Sequence, residues 1–286
     1  MPGLGQILTA VVTPFDADLN VDEDAFVRLL QHLADHGSDG VVVAGSTGEA
    51  ATLNDEEHVA LVALAADNRP HEGFTIVAGA GSNDTRHAVH LTQQVTEAGA
   101  DAVLSVTPYY VKPTPRGLKA HYKAVAGATD KPVLLYNIPG RTALDIPNDL
   151  LKAIAEEAPN IAGVKQANND NLAPIEGLDL YAGNDDVLAR TLDLGGAGGI
   201  LVASHIIGDE MRRLVDEPEN RAEIDAGLRD VYAAMNVTTN PIPVKAALNL
   251  LGHEVGGLRL PLVEADERES AAIREVLERH GLLTAA

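Results

Sequence analysis

The hexapeptide Ile161-Ala162-Gly163-Val164-Lys165-Gln166 decides how this chain is interpreted. Its short apolar run predicts a buried strand that ends in a lysine. Because side chains alternate along a strand, we expect Lys165 to share a face with Gly163 and Ile161, and the small Gly163 leaves room beside the lysine stem. The remaining lysines, Lys245 among them, lie in segments that resemble loops or amphipathic helices.

A lysine at the end of a buried strand has two interpretations. Poor hydration disfavours the ammonium, lowers its pKa from about 10.4 towards neutrality and frees an amine that can form a Schiff base with a carbonyl. Alternatively, the side chain reaches out of the strand end into water and has only a structural role. The hexapeptide alone fits both interpretations.

The composition narrows the class of protein. The chain has 286 residues, no cysteine and a formal net charge of -21. Disulfides and thiolate chemistry are therefore excluded, and the negative charge argues against binding nucleic acid. The opening residues 1–4 show no basic leader followed by an apolar run, and no segment is long enough to span a bilayer. We expect a cytoplasmic protein without a membrane partner.

Short apolar runs alternate with helical patterns along most of the chain. The predicted strands are residues 8–12, 40–44, 75–78, 102–106, 133–136, 161–165, 178–182 and 199–203. The predicted helices between them are 24–36, 55–67, 85–98, 117–128, 148–157 and 186–194, with a shorter helix or turn at 171–177 and a helix at 208–215 after the last strand. Asn54 is expected to cap the second helix, and Gly37 and Gly99 to end theirs.

This alternation predicts an α/β protein with a parallel (β/α)8 barrel, or TIM barrel, and a C-terminal helical extension. Residues 1–220 are expected to form the barrel, and residues 221–286 a helical tail, at 222–235, 244–250 and 264–280, that packs on it. A doubly wound open sheet is less favoured because no Gly-x-Gly-x-x-Gly turn follows the first strand.

Polar residues collect at the carboxyl ends of the predicted strands, where barrel enzymes carry their chemistry. A loop with exposed N–H groups suits an anion, a tyrosine can exchange protons, and an arginine offers a fork for a carboxylate. Each also has a structural interpretation, as a capping turn, a buried ring or a surface ion pair. The motifs are Gly45-Ser46-Thr47-Gly48-Glu49, Val106-Thr107-Pro108-Tyr109-Tyr110, Tyr136-Asn137-Ile138-Pro139-Gly140-Arg141-Thr142 and Gly163-Val164-Lys165.

Asp185, Asp186 and Glu49 together suggest a divalent metal site, but no His pair at ligand spacing accompanies them. We therefore expect neither a metal nor a cofactor.

In this order, and with Asn240-Pro241-Ile242-Pro243-Val244-Lys245 in the tail, the motifs resemble the dihydrodipicolinate synthase / N-acetylneuraminate lyase family of pyruvate-dependent class I aldolases. The resemblance implies that Lys165 forms a Schiff base with pyruvate. It also implies a proton relay from Tyr136 through Ser46 and Tyr110, the last supplied by a neighbouring subunit of a homodimer or homotetramer. The N–H groups of Ser46 and Thr47 would hold the carboxylate of pyruvate.

The resemblance further implies that Arg141 holds the carboxylate of a second substrate, L-aspartate-4-semialdehyde, and that the carbonyl of Ile200 contacts Lys165 or the ligand. The implied reaction forms 4-hydroxy-tetrahydrodipicolinate in lysine and diaminopimelate biosynthesis. An aldolase for another 2-oxo acid, such as N-acetylneuraminate or a 2-keto-3-deoxy sugar acid, is the alternative. A metal-dependent barrel enzyme, or a barrel repurposed for regulation, fits the residues less well.

Several positions depart from the pattern of the family. Ser46 stands where threonine is usual, Gln166 where glutamate often follows the lysine, Ala143 where glycine often follows Arg-Thr, and Asn184 replaces a frequent aspartate. The first change keeps the hydroxyl but gives it freer rotamers.

Regulated members of the family bind lysine in a pocket at a subunit interface. The residues that match this pocket are Ala51, His58, Asn83 and Tyr109. Asp55 and His87 differ from the usual histidine and glutamate, so a carboxylate is missing at position 87. We therefore expect weak or absent inhibition by lysine.

Overall fold

A computed structural model describes residues 3–284 of the chain. Eight parallel strands form a closed barrel in which every strand pairs with its neighbours in sequence, and the last pairs with the first through Leu8 and Ile200. The predicted (β/α)8 fold is confirmed. The strands are Ile7–Ala10 (β1), Gly40–Val43 (β2), Thr75–Gly79 (β3), Ala102–Val106 (β4), Val133–Asn137 (β5), Ile161–Gln166 (β6), Asp179–Ala182 (β7) and Gly198–Leu201 (β8).

Helices surround this barrel and connect its strands, except between β6 and β7. There the chain makes a single 3-10 turn at Asn169–Asn171, which overlaps the short helix or turn predicted at 171–177 only at Asn171. The helices up to the last strand are Glu23–Asp35 (α1), Asp55–Asp67 (α2), Thr85–Glu97 (α3), Pro115–Ala126 (α4), Pro139–Thr142 (α5), Asn148–Ala155 (α6) and Leu188–Asp193 (α7), and Gly208–Asp216 (α8) follows β8.

Local sequence signals fix the ends of these helices. Asn54 caps α2 as predicted, and with Glu57 it forms a capping box: Asn54 Oδ1 accepts from the Glu57 N–H at 2.8 Å, and Glu57 Oε2 accepts from the Asn54 N–H at 3.1 Å. Such a cap stabilises a helix by about 1 kcal/mol. Gly37 and Gly99 follow α1 and α3 with φ values of +84° and +99°, which a residue with a side chain rarely adopts.

Two apolar layers hold the barrel together. The outer layer lies between the strands and the helices and includes Phe26, Leu29 and Leu30 of α1. The inner layer fills the barrel and seals it below the strand ends. Its buried members are Leu8, Ala10, Val42, Val77, Ala102, Leu104, Leu134, Tyr136, Tyr181 and Ile200.

Strand β6 contains a bulge that the sequence pattern does not reveal. Val133 pairs with Ile161, whereas the next residue of β5, Leu134, pairs with Gly163, so Ala162 is the extra residue. Ile161 consequently packs in the outer layer, while a Cβ at Gly163 would lie 2.8 Å from Leu134 Cδ2 inside the barrel. The prediction that Ile161 shares the face of Lys165 is wrong, and the bulge is the reason.

The described part of the tail, up to residue 284, contains four helices, Arg221–Gly227 (α9), Arg229–Ala234 (α10), Ile242–Leu250 (α11) and Glu267–Arg279 (α12). Helix α12 packs on α10 and α11, and α10 and α11 contact the turns that follow β7 and β8. The predicted single helix over 222–235 breaks between Gly227 and Arg229. The boundary between barrel and tail at residue 220 stays a prediction.

The longest described helices have 13 residues and a length of about 20 Å. None of the helices within residues 3–284 is long and apolar enough to cross a membrane.

Candidate active site

A cavity of about 610 Å³ opens at the carboxyl ends of the barrel strands. The strands and the loops after them supply one wall, and the tail supplies the other. The barrel residues that line it are Ser46, Thr47, Tyr136, Ile138, Arg141, Lys165, Asn169, Gly183, Asn184, Asp185, Asp186 and Val202. The tail residues are Arg229, Tyr232, Ala233, Met235, Asn236 and Asn240.

Lys165 ends its strand inside this cavity and is only 5% exposed. It lies between Tyr136 on β5 and Tyr181 on β7 in the strand register. Burial lowers the pKa of the Lys165 amine from its ordinary 10.5 to about 8; the negative charge of Asp185 raises it, and the positive charge of Arg141 lowers it. At pH 7 about a tenth of this amine is thus uncharged and nucleophilic, compared with about 0.03% of an ordinary lysine. The structure favours the buried amine over a lysine that reaches into water.

Tyr136 lies directly beside the lysine. The Lys165 Nζ lies 4.4 Å from the centre of the Tyr136 ring, which is 6% exposed. Burial raises the pKa of the Tyr136 phenol to about 12, although the charge of Arg141 and the hydroxyl of Ser46 lower it. The phenol therefore carries its proton at neutral pH and can donate it to an oxygen that forms next to Lys165.

The loop after β2 provides a second polar wall. Ser46 and Thr47 both line the cavity, and within residues 3–284 their backbone N–H groups donate to no protein acceptor. The loop is closed by hydrogen bonds from the Glu49 N–H to the Ser46 carbonyl at 3.2 Å and from the Ala50 N–H to the Gly45 carbonyl at 3.2 Å. A pair of free N–H groups in a fixed turn suits a carboxylate.

Arg141 extends from the short helix α5 and contributes a positive charge to the cavity. Its Nη2 donates to the Asn240 carbonyl at 3.1 Å, so the tail fixes the guanidinium. Asn240 also donates through Nδ2 to Thr47 Oγ1 at 2.9 Å. This asparagine of the tail thereby connects two barrel loops that the sequence places far apart.

Two predicted site residues do not line the cavity. Tyr110 is 86% exposed on the loop after β4 and has a φ of +70°. Ile200 is fully buried in the inner apolar layer of the barrel. Their predicted roles remain predictions.

The residues predicted to bind lysine lie on α2, on the loop before α3, in a 3-10 turn at Ala50–Thr52 and on the loop after β4. His58 is buried, and its Nε2 lies 2.5 Å from the Gly79 carbonyl oxygen, while Ala51 and Tyr109 are exposed. Asn83 is half-buried. The role of these four residues stays a prediction.

The two positions that depart from the regulated pattern contact each other. His87 Nε2 lies 3.0 Å from Asp55 Oδ1, and His87 Nδ1 lies 3.2 Å from Ser82 Oγ. The carboxylate missing at position 87 is thus present at position 55, where it is engaged by the imidazole.

Several residues of the cavity received no catalytic or substrate-binding role from the sequence. Asp185 is buried and accepts the backbone N–H groups of Val202 and Ala203 at 2.9 and 3.0 Å. Burial raises the pKa of its carboxyl, and those two N–H groups and Lys165 lower it. The sequence places Asp185 after β7, which was a usable signal, but no local pattern marks the tail residues Arg229 and Asn236.

Glu49, considered above with Asp185 and Asp186 as a metal ligand, has a different partner. Its Oε1 lies 2.9 Å from the Lys245 Nζ, and both side chains are buried. Within residues 3–284, no three His, Asp or Glu side chains are arranged as a metal site.

A buried amine of lowered pKa lies at a strand end of this (β/α)8 barrel, with a phenol beside it and a guanidinium in the same cavity. These features define a barrel enzyme of the class that reacts through a Schiff base. The comparison with known proteins makes the assignment specific. The chain belongs to the dihydrodipicolinate synthetase family, whose family model matches residues 3–280.

Individual relatives agree with this assignment. The chain is 40% identical over 291 residues to the 4-hydroxy-tetrahydrodipicolinate synthase of Heliobacterium modesticaldum, with 97% of this chain and 96% of that protein covered. A crystal structure of DHDPS from Cyanidioschyzon merolae with lysine bound has a TM-score of 0.94, 39% identity, and coverage of 98% and 99%. The chloride-inhibited dihydrodipicolinate synthase of Acinetobacter baumannii complexed with pyruvate has a TM-score of 0.93, 34% identity, and coverage of 98% and 100%.

Proposed function

We propose that this protein condenses pyruvate with L-aspartate-4-semialdehyde to 4-hydroxy-tetrahydrodipicolinate, in lysine and diaminopimelate biosynthesis, through a Schiff base on Lys165. Relatives named as that synthase match nearly the whole chain, which supports this reaction over the other members of the class. The observation that carries the proposal is the buried Lys165 amine, whose pKa is about 8, beside the Tyr136 phenol.

The reaction begins at the free amine. The Lys165 nitrogen attacks the ketone carbon of pyruvate, and the oxygen leaves as water once it has taken up protons. We assign the delivery of these protons to Tyr136, because its phenol is protonated at neutral pH and adjoins the amine. Ser46, which lines the same cavity and whose hydroxyl lowers the pKa of this phenol, continues the relay.

The iminium withdraws electrons, so the methyl group of pyruvate loses a proton and becomes an enamine nucleophile. The enamine forms a carbon–carbon bond to the aldehyde carbon of the second substrate, and the aldehyde oxygen takes up a proton. The amine of that substrate then attacks the iminium carbon, the ring closes, and the Lys165 amine is released unchanged. None of these steps needs an oxidant, a metal or a cofactor.

Two groups suit the carboxylates of the substrates. Ser46 and Thr47 line the cavity, and their N–H groups would bind the carboxylate of pyruvate. Arg141, held by the Asn240 carbonyl, would bind the carboxylate of the aldehyde as a fork. The contact assigned to the carbonyl of Ile200 stays a prediction.

We further propose a cytoplasmic homodimer or homotetramer in which Tyr110 completes the proton relay of a neighbouring subunit. The exposed side chains of Tyr109, Tyr110 and Val111, at 41%, 86% and 54%, support an interface at this loop, since contiguous exposed apolar groups mark contact surfaces. Sedimentation velocity of the wild type and of Tyr110→Asp tests this proposal: a wild-type monomer would contradict it.

The cavity also offers some support for the alternative acceptors. The side chains of Asn169, Asn184, Asn236 and Asn240 line it, and amides bind the hydroxyl groups of sugar acids. A screen of acceptor aldehydes with and without hydroxyl groups decides between these substrates.

Two variants separate the proposed roles. Lys165→Ala should abolish turnover. Arg141→Ala should raise the KM for L-aspartate-4-semialdehyde by about 30-fold or more, because a carboxylate then loses its charged partner, with a change of about twofold or less in the KM for pyruvate. Arg190→Ala, on the exposed face of α7, is the matched control and should change neither. Unchanged aldehyde kinetics in Arg141→Ala would contradict the assignment of the second substrate.

A further inference from the structure

Lys245, on helix α11 of the tail, is fully buried. Its Nζ donates to Glu49 Oε1 at 2.9 Å, to the Thr13 carbonyl at 2.9 Å and to the Gly257 carbonyl. These three acceptors use all three N–H groups of an ammonium. The ring of Phe15 lies 4.4 Å below the same nitrogen, which further favours the positive charge.

Both carboxylate oxygens of Glu49 accept hydrogen bonds, one of them from this ammonium. Oε1 accepts from Lys245, and Oε2 accepts from the backbone N–H of Arg259 at 3.1 Å. The side chains of the pair are 0% and 1% exposed. Burying two charges requires the loss of their hydration, and apolar pairs of similar size often stabilise a fold as well or better. Stability alone therefore does not account for this ion pair.

The position of Glu49 in the chain suggests what the ion pair does. Its φ is +56°, a left-handed conformation that costs a residue with a side chain about 1–2 kcal/mol. Glu49 ends the turn that carries Ser46 and Thr47, and its N–H donates to the Ser46 carbonyl. Thr13, the residue whose carbonyl accepts from Lys245, donates through Oγ1 to the Gly48 carbonyl at 2.6 Å.

The tail segment around α11 thus holds the turn from two sides. Asn240, just before the helix, donates to Thr47 Oγ1, and Lys245, one turn into the helix, binds Glu49. The side chain of Lys245 does not line the active-site cavity, so it acts on the turn and not on the substrate.

We propose that Lys245 and Glu49 are positioning residues that hold the turn of residues 45–49 in the conformation that presents the Ser46 and Thr47 N–H groups to the carboxylate of the keto acid. This inference rests on the proposed function, since it assumes that a keto acid binds there. Lys165 lies on β6, away from the pair, so its amine should keep its reactivity when the pair is broken.

The test separates binding of the keto acid from chemistry at Lys165. Glu49→Gln and Lys245→Met are treated with borohydride at a series of pyruvate concentrations, and the modification of Lys165 is followed by mass spectrometry. We expect the half-saturating pyruvate concentration to rise about tenfold, or about 1.4 kcal/mol. The limiting rate of trapping and its dependence on pH should stay within about twofold of the wild type.

The matched control is the exposed ion pair of Lys152 and Glu176, which joins the same two residue types at the protein surface. Lys152→Met and Glu176→Gln should leave half-saturation unchanged. If Lys245→Met does not fold, Glu49→Gln, which preserves the shape of the side chain, decides the question.

The outcomes are distinguishable. A merely structural ion pair would lower the melting temperature of Glu49→Gln while the half-saturating pyruvate concentration of the folded protein stayed at the wild-type value, and this result overturns the inference alone. A wild type that is not trapped by pyruvate at all would overturn the proposed function, and the inference with it.

Discussion

Replacement of Lys165 by methionine should make the protein more stable while it abolishes activity. The Lys165 side chain is almost fully buried, and burial lowers the pKa of its amine from 10.5 to about 8. At about 1.4 kcal/mol per pH unit, the ammonium costs the folded state roughly 3 kcal/mol at pH 7 compared with an uncharged side chain. Methionine has a similar length and no charge, so Lys165→Met should gain roughly this free energy of unfolding.

The dependence on pH provides a second, independent observable. Below pH 8 the amine is charged in both the folded and the unfolded state, and the full cost applies. Between pH 8 and 10.5 the folded state has released the proton while the unfolded state still holds it, so the stability of the wild type rises with pH. The advantage of Lys165→Met should fall from roughly 3 kcal/mol at pH 7 to roughly 1.5 kcal/mol at pH 9.5.

Urea unfolding at a fixed protein concentration, at pH 7 and at pH 9.5, measures both quantities. Lys123→Met is the control, because that side chain is 64% exposed and should change stability by no more than about 0.5 kcal/mol. If Lys165→Met is no more stable than the wild type at pH 7, or if its advantage is the same at both pH values, the Lys165 amine is not desolvated and the reasoning fails.

Three further outcomes are expected. Ala143 has a φ of +56°, so Ala143→Gly should raise the free energy of unfolding by about 0.5–1 kcal/mol in thermal or urea unfolding. Ala120→Gly, in the exposed middle of α4, should lower it by a similar amount. A loss of stability in Ala143→Gly would show that no strain is stored there. Ser46→Thr should raise kcat about twofold in steady-state assays, because threonine restricts the rotamers of the relay hydroxyl. Ser46→Ala should lower kcat about 100-fold in the same assays. An unchanged kcat in Ser46→Ala would show that this hydroxyl is not part of the relay. Lysine should inhibit weakly or not at all, because the carboxylate near position 87 is already engaged by His87; inhibition at submillimolar lysine contradicts this expectation.

The fold was predictable because each element has its own local signal. Apolar runs of four to six residues mark the strands, and the caps at Asn54, Gly37 and Gly99 mark helix ends. The errors in the strand bounds are small: the first strand is predicted at 8–12 and found at Ile7–Ala10. Lys165 was identifiable for the same reason, because a charged side chain at the end of an apolar strand is evident within a stretch of six residues.

Features that depend on pairing between distant segments were not predictable. The bulge at Ala162 exists only in the register of β6 against β5, so the outward packing of Ile161 has no local signature. The predicted helix over 222–235 breaks next to Gly227. The apolar pattern around this residue predicts one continuous helix, but glycine has a weak helix propensity.

The clearest failure concerns Lys245, which the sequence places on an ordinary amphipathic helix but which is more deeply buried than Lys165. Its acceptors come from residues 13, 49 and 257, and only the folded chain brings them together. The wall that the tail contributes to the cavity was missed for the same reason, because nothing near Asn240 in the sequence indicates its contact with Thr47.

Reductive trapping with pyruvate tests the central claim most directly, and the two buried lysines provide an internal comparison. Burial lowers the pKa of both amines, but Lys165 lines the cavity, whereas Lys245 lies outside it and donates to three acceptors. Incubation of the folded protein with pyruvate and borohydride, followed by peptide mass mapping, should add one reduced pyruvate to the peptide that contains Lys165 and none to the peptide that contains Lys245. An unmodified Lys165, or an adduct on Lys245 instead, would contradict the account.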